Sequence, residues 1–182
     1  EALIAGDQTM VEYIIEEFGY PNKWTHFHKA AYHNIPFESI IGDKINKHKC
    51  SARDCLGWTI LHVAAVRKDS RVIEEIIKVD AAVLEHTDCY GETALHKSIR
   101  SNQVNNANLI FKNMMEKNVL EPFKNGNILH LAAAFITEGE LFIKKLIENG
   151  FNVNKQVGAD QATPLHYAVD AGNKDAVSEL LK

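Results

Sequence analysis

Glycine and proline are scarce, 10 and 4 in 182 residues, against the roughly 12% that the pair usually contributes. A fold built from many tight hairpins is thereby disfavoured, and long, little-interrupted helices fit better. The three cysteines, Cys50, Cys55 and Cys89, are too few and too odd in number for a disulfide framework. Free thiols in a reducing intracellular setting, cytoplasmic or nuclear, are expected. No second Cys or His pair follows Cys50 and Cys55 at ligand spacing, so neither metal nor cofactor is expected. Long apolar runs are missing too. Nothing approaches the roughly 20 residues that cross a bilayer, and no charged start followed by an apolar core marks a secretory signal, so this segment is not expected to insert in a membrane. Positive charge is not in excess: 20 Lys and Arg face 24 Asp and Glu, a net charge of −4. That balance argues against direct nucleic-acid binding, which needs a basic face to neutralise phosphates. What is present, 46% hydrophobic and 24% charged, is the composition of an ordinary globular protein.

Self-similarity is the strongest signal. One frame recurs five times: Thr25-His26-Phe27-His28, Thr59-Ile60-Leu61-His62, Thr93-Ala94-Leu95-His96, Asn127-Ile128-Leu129-His130 and Thr163-Pro164-Leu165-His166. Its last histidine advances by 34, 34, 34 and then 36 residues. Small residues follow at Ala30-Ala31, Ala64-Ala65, Ser98-Ile99, Ala132-Ala133 and Ala168-Val169, where two helices can approach closely. A Gly-bearing turn precedes the frame at Asp54-Cys55-Leu56-Gly57 and Asp88-Cys89-Tyr90-Gly91. The threonine can cap a first helix through its hydroxyl, and Pro164 stands where a first-turn proline loses no hydrogen bond. A second helix carries an apolar stripe at i, i+3 and i+4, as in Ile73, Ile76 and Ile77. One such pair cannot bury both stripes alone, whereas stacked neighbours can.

These frames resemble the ankyrin repeat, whose marker T-P-L-H-x-A is matched letter for letter from Thr163 to Ala168. A partial copy opens the chain, because Gly6, Val11, Ile14 and Ile15 have the offsets of Gly172, Val177, Leu180 and Leu181. The resemblance implies an all-α ankyrin-repeat solenoid of stacked helix-turn-helix units with short β-turn fingers. The array is expected as a partial copy over 1–20, repeats over about 21–53, 54–87, 88–121 and 122–157, and a partial copy over 158–182. Neither end shows a polar capping repeat, which predicts a piece of a longer chain.

Several stretches depart from the pattern. Ile35-Pro36-Phe37 replaces the usual inter-helix turn, and the basic run from Lys44 to Lys49 reads as a solvated face. Met114-Met115 reads as core filler. Extra residues fall around Ile136 to Glu140 and in the loop from Asn154 to Thr163, where loops tolerate them.

Successive histidines of the frame lie about a repeat apart, far beyond zinc-ligand distances. The resemblance implies that His28, His62, His96, His130 and His166 are structural, hydrogen-bonding neighbouring loops. No Gly-rich phosphate loop, H-E-x-x-H helix or G-x-S-x-G elbow appears, so no catalytic residue is assigned and the segment is not expected to be an enzyme. The expected function is a protein-interaction scaffold, binding on the concave face of loop tips and first helices. Candidate contacts are Trp24, Trp58, Arg67, Tyr90, Glu92, Arg100, Phe123, Lys124 and Phe135, aromatic and Arg residues being enriched among interface hot spots. Trp24 and Trp58 share one repeat position and have the alternative of packing against adjacent loops. The last copy, from Asn152 to Leu181, resembles a repeat of the inhibitor-of-NF-kappaB proteins. That likeness implies a second reading, the masking of a Rel-type transcription factor. A third makes the segment the ankyrin portion of a channel, a transferase or a pathogen effector. The ankyrin resemblance also implies Asn154 as a hydroxylation site for an asparaginyl hydroxylase.

Overall fold

The computed structural model describes residues 23–35, 45–68, 71–120, 126–137 and 139–182. The partial copy over 1–20 and the candidates Phe123 and Lys124 lie outside the described residues. The chain divides into two units, residues 1–117 and 118–182.

In the first unit the described helices are α1 (His26–Tyr32), α2 (Lys47–Cys50), α3 (Ile60–Ala65), α4 (Val72–Val79), α5 (Ala94–Arg100) and α6 (Val104–Glu116), with a 3-10 turn over Ala81–Leu84. First helices stack on first helices, α1 on α3 and α3 on α5. The small pairs make this possible: Ala31, Ala64, Ala65, Ser98 and Ile99 are fully buried. Helix α4 shows why the second layer forms. Val72, Ile73, Ile76 and Ile77 lie on one buried face, each contributing about 2 kcal/mol by leaving water. Met114 belongs to this core, whereas Met115 is 43% exposed, so the Met pair is only half core filler. Of the basic run, Lys47 and His48 are exposed while Cys50 at the end of α2 is buried. Burial, and then the nearby Asp80, push its thiol up to about 12.

The second unit contains α7 (Ile128–Phe135), α8 (Glu140–Glu148), α9 (Pro164–Asp170) and α10 (Lys174–Leu180). Helix α7 packs on α9 and α8 on α10. Gly139 opens α8 where a Cβ would stand 1.9 Å from Ile136 Cγ2, so the extra residues of this loop are accommodated only by a residue without a side chain. Among the described residues the only β features are isolated bridges, Thr87 with Thr93 and Val157 with Ala162.

Asparagine side chains tie neighbouring helix pairs together from two different places. Asn106 Nδ2 in α6 donates to the Ala65 carbonyl at 3.1 Å and to that of Arg67, closing the end of α3. In the second unit Asn173 Nδ2 does the same for α7, donating to Ala133 O at 2.9 Å and Ile136 O at 2.7 Å. Helix C-termini leave carbonyls without intrahelical partners, and these amides satisfy them from the next helix pair.

Candidate functional site

The histidine of each frame is the third residue of its helix, and in four of the five frames it caps that helix. Thr25, Thr59, Thr93 and Thr163 all have extended backbone. Their own N–H groups donate to the Nδ1 atoms of His28, His62, His96 and His166 at 3.1–3.3 Å. The threonine hydroxyls lie 2.8–2.9 Å from the same atoms. The ring thus takes the place of the Glu of an ordinary capping box. At the other nitrogen, His28 Nε2 donates to Trp58 O at 3.2 Å and His62 Nε2 to Glu92 O at 3.1 Å. A ring that accepts at Nδ1 and donates at Nε2 is neutral. Burial lowers His62 and His96 to about 4, and lowers His28 and His130 as well. In the second unit His130 Nε2 donates to Lys155 O at 2.8 Å. Its frame begins with Asn127, whose backbone is not extended, and the buried His130 Nδ1 is left without a hydrogen bond.

The finger loops are organised by aspartates that stand eight residues before the frame histidine. Asp54 Oδ1 accepts from the Leu56 and Trp58 N–H groups, both at 2.8 Å. Asp88 Oδ1 accepts from Tyr90 N at 2.8 Å and Glu92 N at 3.0 Å. Gly57 has φ +78°, and a Cβ there would lie 3.0 Å from Cys89 N. One finger therefore packs backbone to backbone on the next, with Cys89 N donating to Leu56 O at 3.0 Å. Cys55 and Cys89, at the same place on the two fingers, are exposed free thiols.

The position four residues before the frame histidine reads Trp24, Trp58 and Glu92. Both tryptophans stack on their frame histidine, Trp24 on His28 with centroids 6.1 Å apart and Trp58 on His62 at 6.4 Å. Trp24 is half-buried, and its indole Nε1 donates to Asp54 Oδ2 at 2.8 Å. Trp58 is 1% exposed, inside the structure and not presented at its surface. The Lys97 ammonium lies 5.4 Å from the Trp58 ring and 5.9 Å from that of Tyr90. Lys97 is itself fully buried and pairs with Asp88 Oδ2 at 2.8 Å and Glu92 Oε2 at 2.7 Å. Glu92 Oε1 accepts from Arg100 Nε at 2.7 Å. Burial pushes the Glu92 carboxyl up, but Lys97 and Arg100 outweigh it and hold it below the ordinary range; burial pushes Asp88 up as well, and Lys97 together with the Glu92 and Tyr90 N–H groups holds it lower.

Four candidates from the sequence are thus brought together with Lys97: Trp58 beneath, Glu92 and Arg100 as half-buried ion-pair members, and Tyr90, 55% exposed. Arg67 lies with its guanidinium 4.3 Å from the Tyr32 ring. Phe135, 39% exposed, belongs to the second unit, as does the exposed Asn154, whose N–H donates to Asn152 Oδ1 at 2.9 Å. Sequence reasoning missed Lys97, the two aspartates and Asn106. A charge directly after the frame histidine did not single out Lys97, because the first frame has Lys29 at that place and there it is exposed. No helix among the described residues is long and apolar enough to cross a membrane.

The sequence matches the family described as ankyrin repeats over residues 37–121 and 113–182. It is 27% identical over 149 residues to the chicken (Gallus gallus) nuclear factor NF-kappa-B p105 subunit, covering 81% of this chain and 15% of that protein. It is 33% identical over 118 residues to a putative ankyrin repeat protein of fowlpox virus (strain NVSL), covering 64% of this chain and 78% of that one. The chain therefore spans about a seventh of the chicken relative. The match with the ankyrin family, the recurring Thr-to-His frame and the stacked helix pairs agree, and the chain belongs to the ankyrin-repeat family, whose repeats are protein-interaction modules.

Proposed function

We propose that this chain is a non-catalytic scaffold that binds a partner protein through the fingers and first helices of its first unit. The observation that carries the reading is the Tyr90 finger. Its exposed aromatic ring stands on a loop fixed by Asp88 and Lys97, with Arg100 held on Glu92 beside it. Aromatic and Arg side chains on a rigid support lose little entropy on binding and are the usual anchors of protein interfaces. Trp24 and Arg67 extend this surface, whereas Trp58 serves it from below. Truncating an anchor is expected to cost about 2 kcal/mol of binding.

A second reading, masking of a Rel-type transcription factor, is favoured by the likeness to the chicken protein named as an NF-kappa-B p105 subunit and by the last copy of the frame. It places the chain in the cytoplasm or nucleus. Calorimetric titration against a purified Rel-type dimer tests it, with Tyr90→Ala and Trp24→Ala compared at unchanged helicity. Binding that both variants weaken supports the reading. Absence of heat at micromolar protein overturns the Rel partner, and binding that neither variant affects overturns the surface.

A further inference from the structure

The hydroxyl of Ser51 stands between two cations in the chain, with Lys49 two residues before it and Arg53 two residues after. Among the described residues one other serine or threonine has Lys or Arg within two residues on both sides, Ser98 with Lys97 and Arg100, and it is fully buried. Ser51 is half-buried and caps the end of α2, a helix of a single turn, while Ala52 and Arg53 beyond it have no regular structure. Closing a first helical turn is the unfavourable step of helix formation. This segment therefore opens into the extended form that a kinase cleft grips at less cost than the longer helices of the array.

The surroundings also decide what a phosphate does there. Ser51 Oγ donates to Asp80 Oδ2 at 3.4 Å, and Asp80 Oδ1 accepts from Ala82 N at 3.2 Å, opening the 3-10 turn over Ala81–Leu84. A hydroxyl donates to that carboxylate, whereas a phosphate ester brings about −1.5 to −2 of charge and acceptor oxygens. Arg53 Nη1 donates to the carbonyl of Gly57 at 3.3 Å and to that of Thr87, at the roots of successive fingers. Its guanidinium has no ion pair among the described residues.

We propose that Ser51 is a phosphorylation site for a serine kinase that selects cations around its target, and that the phosphate breaks the Ser51–Asp80 contact and draws Arg53 from the finger carbonyls. An acidic kinase cleft complements Lys49 and Arg53, charge pattern being one way in which kinases discriminate substrates. In the transfer, Ser51 Oγ attacks the γ-phosphorus of ATP. The Oγ–P bond forms as the bond from that phosphorus to the β–γ bridging oxygen breaks, ADP leaves, and the hydroxyl proton passes to the kinase's catalytic aspartate. The product dianion faces the Asp80 carboxylate and repels it, while the Arg53 guanidinium two residues away is the cation it attracts. The modification stands whichever protein the fingers bind, and it reaches them through Arg53.

The test incubates the whole chain with protein kinase C and ATP and maps the phosphate by peptide mass spectrometry. Phosphate on Ser51, lost in Ser51→Ala, is the expected result. A chain unmodified at Ser51 overturns the site, as does phosphate found only elsewhere, for example at Ser70 in Arg67-Lys68-Asp69-Ser70, which lies outside the described residues. The consequence is read by NMR on the phosphorylated chain. Exchange of the Ala82 N–H is expected to quicken by about tenfold relative to Ser51→Ala, the size of one weakened hydrogen bond to a charged group, and the Arg53 Nε–H resonance is expected to move. Asp80→Asn removes the like charge and should abolish the quickening. An equal quickening in Asp80→Asn overturns the repulsion, and an unmoved Arg53 resonance overturns the reach to the fingers.

Discussion

Acidification to about pH 5 should destabilise the first unit by about 4 kcal/mol through His62 and His96, before the carboxylates begin to respond. Both rings are neutral and buried with values lowered to about 4, burial being the main cause, while an unfolded histidine titrates near 6.5. As pH falls through 6.5 the unfolded chain takes up protons that the folded rings refuse, so stability is lost on the acid side and is fully present above about pH 7. At about pH 5 the unfolded state has gained about 1.5 pH units of protonation, about 2 kcal/mol for each ring at 1.36 kcal/mol per unit. The charges facing His62 are Asp88, Lys97 and Arg53, and those facing His96 are Glu92, Arg100, Lys97 and Asp88. They act with both signs, leaving burial to decide. Asp88 and Glu92, both lowered, contribute stability that disappears only below the ordinary carboxylate range, so their loss follows that of the histidines. Urea unfolding followed by circular dichroism at neutral and mildly acid pH measures the difference, and the His Cε1–H NMR signals identify the rings. Equal unfolding free energies at the two pH values, or a His62 signal titrating near 6.5, would refute the assignment of these rings as neutral capping acceptors.

Four further perturbations probe other parts of the scaffold. Lys97→Met leaves Asp88 and Glu92 without their buried cation and should cost about 3 kcal/mol, read as a lower urea midpoint together with faster amide exchange at Tyr90 and Glu92. Asn106→Ala strands the carbonyls at the end of α3 and should cost about 2 kcal/mol; an unchanged midpoint would show that water replaces the amide. Asn127→Thr offers His130 Nδ1 the donors that the other frames have, and should stabilise the second unit by about 1 kcal/mol if α7 adopts the extended cap, measured by thermal unfolding. Incubation with an asparaginyl hydroxylase should add one oxygen at the exposed Asn154, detected by peptide mass; an unmodified peptide removes that site.

The helices and their stacking were legible because they rest on features that sequence displays directly: the Thr-to-His frame, the small residues after it and the i, i+3, i+4 stripe of α4. Burial of Ala31, Ala65 and Ile99 follows from that register. The surroundings of Trp58 were not legible, since they include Lys97, a residue 39 positions later on the neighbouring first helix. Trp24 shares the following threonine and the frame histidine with Trp58 and remains half-buried, and the residue that stands to it as Lys97 stands to Trp58 is Val63. Asn106 was hidden for a related reason. It closes α3 from within α6, while Asn173 performs the equivalent closure from the cap of α10, so no fixed offset announces the role. Met115 departs from Met114 because adjacent helical residues point about 100° apart, and only one of the two can face the core.

The asparagine bridges limit how far these repeats behave as interchangeable bricks. Because the amide that finishes α3 is carried by α6, cutting the array between them leaves a helix whose carbonyls have lost their lid, and splicing in a foreign repeat supplies no replacement unless it brings its own. Recombination within this chain is therefore constrained to exchange helix pairs with their successors, and a shuffled library built on single repeats should yield its folded members mainly where that overlap has been kept.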